Sequence, residues 1–331
     1  MAARLTAQPS SQAAGRPSFG KAAPFLLVAS SLAPSVPPPY DLPMLIAPLL
    51  VAPVVTVAVA VLALVEVVVR WRRLADYPLF RRLDPVGYEP APGQGLMRGQ
   101  FRWAFNSLGL RMDHDRPADA DSVLLVGDSV VEPGAHVDQA DTLGAHLQEL
   151  CGASVYPAGS GGWALGNELA FLSARPQLLA AGTVVWVINS GDLVPANVWG
   201  GWLAHPLHRP LVHSFYVAAR IGERLRARLF NRLFALRVES ADPSLPGAMA
   251  AFLPRLAGRR VFFVLYPTLA EVARGERPLA DLRDLVSGAG TVVEVSSAPG
   301  WSVDCYADGI HPNARGRALL ARIIADALAA G

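Results

Sequence analysis

The longest apolar stretch of the chain lies near its N-terminal end. Residues 44–69 are almost entirely Leu, Ile, Val and Ala, and their one charge, Glu66, lies close to the C-terminal end of the stretch. About 20 apolar residues are enough for a helix to cross a bilayer, whereas a core helix keeps a polar face. We therefore predict a transmembrane helix over residues 44–69 that anchors the protein as a single-pass membrane protein.

From residue 122 onward, short apolar runs alternate with amphipathic stretches. The runs predict five buried strands, at 123–126, 153–156, 183–188, 261–266 and 291–295. Apolar residues at helical spacing predict helices at 142–150, 167–180, 279–286 and 314–329. Strands separated by helices form a parallel sheet that is covered on both faces. The pattern predicts an α/β fold of the flavodoxin-like, three-layer α/β/α type with a five-stranded parallel sheet.

Composition and the positions of Pro and Gly divide the rest of the chain into segments. Residues 1–43 are rich in Ala, Ser and Pro without periodicity, which is typical of a disordered leader. Residues 70–118 carry many Pro and Gly residues and are predicted to be a linker and lead-in segment. The α/β domain then occupies residues 119–331, with a helical insertion at about 194–244. The insertion helix predicted at 215–237 has an apolar and a basic stripe, which fits a lid, a membrane-surface helix or, as we favour, an ordinary surface helix.

Charge and cysteine content exclude several classes of function. The 29 basic and 27 acidic residues leave a net charge of +2, and the arginines are scattered, so we expect no nucleic-acid partner. Cys151 and Cys305 lack metal-ligand spacing, and they are either a disulfide pair or, as we favour, two separate thiols. The histidines of the insertion do not share a helix face, so no metal site is predicted. No glycine-rich nucleotide motif is present, and no cofactor is expected.

Ser129 follows the first strand of the predicted sheet. The strand ends in Gly127-Asp128-Ser129, where glycine permits a sharp turn and a helix is expected to begin near the serine. Ligands of open α/β sheets bind at the carboxyl ends of the strands. Ser129 is therefore either a nucleophile at the mouth of the sheet or merely a helix cap.

Asp308 and His311 lie three residues apart, just before the final helix, for which Asn313 is the predicted N-cap. Histidine can take a proton from a serine hydroxyl near neutral pH, and a carboxylate on its other ring nitrogen fixes the tautomer. The pair is a weak signal alone. Together with Ser129 on the same sheet it predicts nucleophilic catalysis.

Three stretches resemble the SGNH (GDSL-like) hydrolase family, in particular its membrane-anchored bacterial members. They are GDS at 127–129, PAGSGG at 157–162 and DGIHP at 308–312, and the lead-in FNSLGLR at 105–111 is also similar. The resemblance covers about residues 100–329. It implies an SGNH hydrolase-like domain over residues 119–331 with Ser129, His311 and Asp308 as the catalytic residues.

The resemblance also implies an oxyanion hole. The N–H groups of Ser129 and Gly162 would be two of its donors. The third block departs from the family pattern GxND, because it reads Asn189-Ser190-Gly191-Asp192 with glycine at the position of the asparagine. Asn189 is the expected replacement, and Asn197 is the alternative. A lost donor costs on the order of 10²–10³ in rate, so the chain is either an enzyme or a weakly active glycan-binding module.

The predicted function is therefore a serine esterase or O-acyltransferase on a membrane anchor. Its partners would be a small-molecule or glycan ester, and the membrane itself. The arginines at 70–73 favour a cytoplasmic domain by the positive-inside rule. The membrane-anchored relatives imply the opposite orientation, and we expect the domain in the periplasm or outside the cell, acting on envelope glycans or lipids. A third hypothesis is a phosphate- or nucleotide-binding protein of flavodoxin type. This hypothesis leaves Asp308 and His311 without a role.

Overall fold

The computed structural model describes residues 42–134, 136–233, 241–276, 283–284, 286 and 288–331. The predicted leader lies almost wholly outside the described residues, as does most of the helix predicted at 279–286. The chain divides into two units between Val57 and Ala58.

An apolar helix, α1, runs from Leu42 to Trp71. The part Val51–Trp71 is long and apolar enough to cross a membrane, and none of its most apolar window is buried. An exposed surface of Val and Leu side chains is unfavourable in water and is matched by lipid.

The end of α1 is hydrogen-bonded to the start of a second helix, α4 (His213–Leu233). The Glu66 carboxylate accepts the backbone N–H groups of His213 at 2.9 Å and Ser214 at 2.7 Å. These are among the N–H groups that a helix start leaves without an intrahelical partner. The carboxylate therefore caps α4 and attaches it to α1.

Two antiparallel hairpins follow α1, in the segment predicted as a linker and lead-in. Strand β1 (Phe80–Leu83) pairs with β2 (Gly87–Pro90), and β3 (Gly95–Arg98) pairs with β4 (Phe101–Ala104). Both hairpins are part of the folded domain. Phe80 and Tyr88 of the first are buried in the same apolar cluster as one face of the central sheet, and the N–H of Ala104 in the second donates to Gln139 Oε1 at 3.2 Å.

The centre of the domain is a five-stranded parallel sheet, which confirms the predicted fold class. Its strands are β5 (Val123–Gly127), β6 (Val155–Gly159), β7 (Thr183–Ile188), β8 (Arg260–Leu265) and β9 (Thr291–Glu294). Their order is β6-β5-β7-β8-β9, and all neighbouring pairs are parallel. The order reverses beside β5, and such a switch point leaves a crevice at the carboxyl ends of the strands.

Helices cover both faces of the sheet. They are α2 (Leu143–Cys151), α3 (Leu165–Ala174), α5 (Leu245–Phe252), α6 (Leu269–Arg274) and α7 (Ala314–Ala330). Successive strand residues point to opposite faces. Accordingly, Leu124 packs with the apolar side chains of α3 and α5, whereas Leu125 packs with those of α2 and α7. Cys151 and Cys305 are both free thiols.

Two proline positions account for differences from the predicted elements. Strand β6 continues through Pro157 to Gly159, beyond the predicted end at residue 156. This is possible because β6 is an edge strand with only β5 beside it, and an edge position tolerates a missing N–H. The helix predicted at 167–180 ends at Ala174, and a short 3₁₀ turn starts at Pro176. Proline lacks the N–H that would continue an α-helix.

Candidate active site

Ser129 lies in the tight turn that follows β5 at the carboxyl edge of the sheet. The buried Asp128 side chain accepts the N–H of Val130 at 2.8 Å and so holds the turn closed. The expectation of a helix starting near Ser129 is wrong, because α2 begins only at Leu143. Pro133 and Gly134 fall in the intervening segment and do not favour a helix there. The serine is half-buried and caps no helix, so its hydroxyl is available to the crevice.

The structure brings Ser129 and His311 together across 182 positions of sequence. His311 Nε2 lies 2.9 Å from Ser129 Oγ. The other ring nitrogen, Nδ1, lies 2.8 Å from Asp308 Oδ2 and 3.0 Å from Oδ1. With Nδ1–H donating to the carboxylate, Nε2 is left as the acceptor for the serine O–H. The three side chains therefore form one continuous hydrogen-bonded series.

The loop that carries Asp308 and His311 is held at both ends. The N–H of Ala307 donates to the carbonyl of His311 at 2.8 Å, and the Tyr266 hydroxyl donates to the carbonyl of Ile310 at 2.7 Å. Beyond the loop, the Asn313 side chain accepts the N–H of Gly316, as its predicted role of N-cap requires. The imidazole is thus positioned by helix α7 and by the end of β8.

The Asp308 carboxylate is exposed on one side and hydrogen-bonded on the other. Burial by itself raises its pKa, but the N–H groups of His311 and Ile310 and the imidazole outweigh burial and hold the pKa of Asp308 below its usual value. An ionised carboxylate on Nδ1 stabilises the imidazolium that forms when His311 takes a proton.

Two backbone N–H groups near Ser129 lack acceptors. Within the described residues, neither the N–H of Ser129 nor that of Gly162 donates a hydrogen bond. Gly162 has a φ of +79°, in the left-handed region that favours glycine, and a Cβ there would lie 3.0 Å from the Tyr88 hydroxyl. Both N–H groups are free for a developing oxyanion.

The peptide around Gly162 is held by two side chains, Tyr88, to which the sequence analysis gave no role, and Asn197, which it named as the alternative oxyanion donor. The Tyr88 hydroxyl donates to the Gly161 carbonyl at 2.9 Å, and the Asn197 amide donates to the Gly162 carbonyl at 2.6 Å. Tyr88 comes from the second hairpin strand and Asn197 from the insertion. No local sequence signal connects such distant segments with the glycine loop.

Asn189 does not lie where the third oxyanion donor was expected. Its amide nitrogen donates to Asp192 Oδ2 at 2.8 Å and to Asp128 Oδ2 at 3.3 Å, and its oxygen accepts the N–H of Gly191. Asn189 is the N-cap of the 3₁₀ turn Ser190–Leu193 and is buried. Because the amide oxygen caps the turn and the amide nitrogen donates to two carboxyl groups, the structure does not bring this side chain to the oxyanion position.

Beneath the serine lie three buried carboxyl groups, Asp128, Glu168 and Asp192, which we call the carboxyl cluster. Burial raises the pKa of each, and that of Glu168 rises to about 8. Glu168 Oε2 accepts the indole N–H of Trp186 at 2.6 Å, while Oε1 has no hydrogen-bond partner among the described residues. Glu168 therefore keeps its proton near neutral pH, and the cluster supports the turn at Asp128 from below.

Ser129 and His311 open into a cavity of about 610 Å³. Its walls come from the hairpins, the glycine loop and the insertion, and include Trp103, Glu132, Gly162, His205 and Arg220. Arg111, in the FNSLGLR segment, is buried and bonds both the Glu132 carboxylate and the Val137 carbonyl, so it supports the wall beside Ser129. Burial lowers the pKa of His205 to about 4 and leaves it neutral. Among the described residues no group of His, Cys, Asp and Glu has the arrangement of a metal site.

No family model matches the sequence, and no curated protein matches it. Solved structures with similarity to the chain include a carbohydrate esterase family 2 enzyme with a carbohydrate-binding domain from Corynascus thermopiles (Myceliophthora fergusii). It is 15% identical, covers 66% of this chain and 69% of its own, and gives a TM-score of 0.39. A lipase/acylhydrolase from Enterococcus faecalis is 16% identical, covers 62% of this chain and 94% of its own, and gives a TM-score of 0.37.

LAE5, an alpha/beta hydrolase enzyme from the metagenome of Lake Arreo, Spain, is 16% identical. It covers 64% of this chain and 95% of its own, with a TM-score of 0.37. Identities at this level leave the chemistry to be argued from the chain's own residues. The solved structures that this chain resembles are SGNH-type hydrolases, the kind of protein that its three sequence motifs resemble.

Proposed function

We propose that the chain is a membrane-anchored serine hydrolase of the SGNH type that cleaves ester bonds. The observation that carries the proposal is the series Ser129 Oγ to His311 Nε2 at 2.9 Å and His311 Nδ1 to Asp308 at 2.8 Å, at the mouth of one cavity. A nucleophile, a base and an orienting carboxylate within hydrogen-bond reach are the requirements of acyl transfer through a serine.

The reaction follows from these positions. His311 Nε2 takes the proton of Ser129 as Oγ bonds to the ester carbonyl carbon. The carbonyl oxygen becomes an oxyanion, which accepts the N–H groups of Ser129 and Gly162. His311 then gives its proton to the alcohol oxygen as the bond between carbon and that oxygen breaks. Water, activated by His311 in the same way, releases the acid and restores Ser129.

The missing side-chain donor does not favour a purely binding module. That hypothesis is motivated by the glycine at 191, but the N–H groups of Ser129 and Gly162, which both line the cavity, have no acceptor within the described residues. The acyl-enzyme also permits transfer to an alcohol instead of water. The ratio of free acid to transferred ester, measured with an added sugar alcohol, separates an O-acyltransferase from a hydrolase.

The test of the proposed function uses the full chain in detergent micelles. Ser129→Ala should abolish turnover of 4-nitrophenyl acetate and covalent labelling by a fluorophosphonate, because the attacking oxygen is lost. The matched control is Ser190→Ala, which replaces a half-buried serine just after β7. This variant should keep both turnover and labelling. Labelling of Ser129→Ala at the wild-type rate would refute the assignment.

The anchor and location form the second part of the proposal. Helix α1 would place the domain at a membrane surface, and Leu211, Val212 and Phe215 beside its end are exposed by 91%, 53% and 65%, which suits contact with lipid. We place the domain in the periplasm or outside the cell, where envelope glycans and lipids carry acyl esters. A C-terminal alkaline phosphatase fusion should be active there, and an active cytoplasmic reporter at that end would contradict the location.

A further inference from the structure

The cavity that contains Ser129 and His311 is lined by three arginines, Arg98, Arg220 and Arg224. Arg98 comes from β3, whereas Arg220 and Arg224 lie four residues apart on one face of α4. Two elements that are far apart in sequence, β3 and α4, thus contribute guanidinium groups to the same cavity.

These guanidinium groups have no carboxylate partner within the described residues. Arg98 donates to the Tyr77 hydroxyl at 2.8 Å, and Arg220 donates to the Tyr216 hydroxyl at 3.1 Å. Arg98 and Arg220 also both stack on the ring of Tyr77, at 4.4 and 3.9 Å from its centroid. Arg224 is exposed and makes no hydrogen bond or ion pair with the part of the chain that the structure describes. Like charges that share one ring repel each other unless an anion lies between them.

The acidic side chains on the cavity wall and next to Arg224 are paired with arginines. Glu132, on the wall beside Ser129, is buried against Arg111. Glu223, next to Arg224 on α4, is held by both guanidinium nitrogens of Arg226, at 2.6 and 3.0 Å. Among the described residues, the charged side chains that line the cavity without an ionic partner are therefore positive, and Asp308, which is bonded to His311, is not part of that lining.

We propose that the substrate of this site is an ester that also carries a negatively charged group, a carboxylate or a phosphate, bound by Arg98, Arg220 and Arg224. This inference rests on the proposed ester chemistry and adds the class of substrate. Arginine suits both anions because its planar fork matches two of their oxygens. The aromatic rings of Tyr77 and Trp103 in the same wall accommodate the apolar part of the molecule.

The test compares two chromogenic acetate esters that differ only in charge, 4-acetoxy-3-nitrobenzoate and its neutral amide. The wild-type protein should prefer the anionic ester by about tenfold in kcat/KM. Arg224→Gln should reduce that preference on the order of fivefold, the range of one partly exposed ion pair. Added salt should reduce it too, since such pairs are screened.

The matched control is Arg322→Gln. Arg322 lies on α7, is exposed and does not line the cavity. Its substitution should leave the preference unchanged. Equal turnover of both esters by the wild type, or the same preference in Arg224→Gln, would overturn the inference while leaving the ester chemistry intact. Absence of turnover for both esters, in a protein that also resists the fluorophosphonate, would instead refute the proposed function.

Two further pairs identify the source of the anion. An acetylated methyl glucuronoside is compared with the acetylated methyl glucoside, and dioctanoyl phosphatidic acid with dioctanoylglycerol. A preference for the charged member of the first pair identifies the substrate as an acidic glycan. A preference for the charged member of the second pair identifies it as an anionic lipid. No preference in either pair, with all four esters cleaved, contradicts the inference.

Discussion

At the residue scale, the pKa values of the Asp308 and Asp128 carboxyl groups are shifted in opposite directions. Asp308 keeps its charge because three donors outweigh its partial burial. Asp128, directly before the serine, is buried, and its pKa is raised. The exposed carboxylate therefore orients the imidazole, while the buried cluster shapes the turn. The difference comes from hydration and hydrogen bonding, since the residue type is the same.

Glu168 gives the protein a pH-dependent stability. Its pKa of about 8 means that between roughly pH 4.5 and 8 the folded state keeps a proton that the unfolded state has released. The free energy of unfolding therefore falls as the pH rises through this window. Glu168→Gln cannot titrate, so it should be more stable than the wild type by about 1–3 kcal/mol at pH 8, with a smaller gain at pH 5.

Thermal unfolding of the micelle-bound protein at pH 5 and pH 8 measures this effect. Glu149→Gln, an exposed glutamate on α2, serves as the control and should follow the wild type at both pH values. An identical pH dependence in Glu168→Gln and the wild type would show that Glu168 is ionised in the folded protein.

At the element scale, the loop after β6 holds the Gly162 N–H that we propose as one donor of the oxyanion hole. Gly159 ends the strand against the Gly127 carbonyl, and the chain then turns through Gly162 with its left-handed backbone. Hydrogen bonds from Tyr88 and Asn197 fix the peptide carbonyls on either side of Gly162 N. Because these bonds come from other segments, the N–H direction is set before any substrate binds.

Gly162→Ala should lower kcat by on the order of 10²-fold, because the added methyl group meets the Tyr88 hydroxyl and turns the N–H away. Gly93→Ala isolates backbone strain, since Gly93 has a φ of +65° and nothing within 4 Å of its Cβ position. It should lose stability by about 1 kcal/mol and keep its kcat. Steady-state kinetics with 4-nitrophenyl acetate and thermal unfolding distinguish the two effects, and equal kcat values for both variants would remove Gly162 from the oxyanion hole.

At the scale of the whole molecule, α4 connects the cavity with the end of α1. Its first turn is capped by Glu66 of α1, and two turns later it presents Arg220 and Arg224 to the cavity. Tyr216 packs with Val69 and Tyr77 in a small apolar cluster between these parts. The insertion thus extends the wall of the site toward the end of the candidate membrane span.

Glu66→Ala should loosen the start of α4. Loss of a helix cap costs about 1 kcal/mol, so amide hydrogen exchange in the first turn of α4 should accelerate on the order of fivefold. Exchange measured by mass spectrometry on the micelle-bound full chain tests this, with Glu149→Ala as the control. Unchanged protection at residues 213–216 would mean that the carboxylate does not hold the helix.

Periodicity and local chemistry were sufficient to predict much of this protein from sequence alone. The apolar run of α1, the strands β5 and β7 and the cap at Asn313 follow from spacing that neighbouring residues impose on one another. Sequence alone also identified Ser129, Asp308 and His311 as candidate site residues, because each comes directly after a predicted strand or just before a predicted helix.

Only the tertiary structure decided which of these groups meet. It placed His311 Nε2 beside Ser129 Oγ, turned the Asn189 amide toward the carboxyl cluster and gathered Arg98 and Arg220 around Tyr77. Such contacts depend on the packing of whole elements across a sheet, and no spacing along the chain encodes them. The sequence therefore determined which chemical groups the protein has, and the fold decided their distances, their hydration and hence their roles.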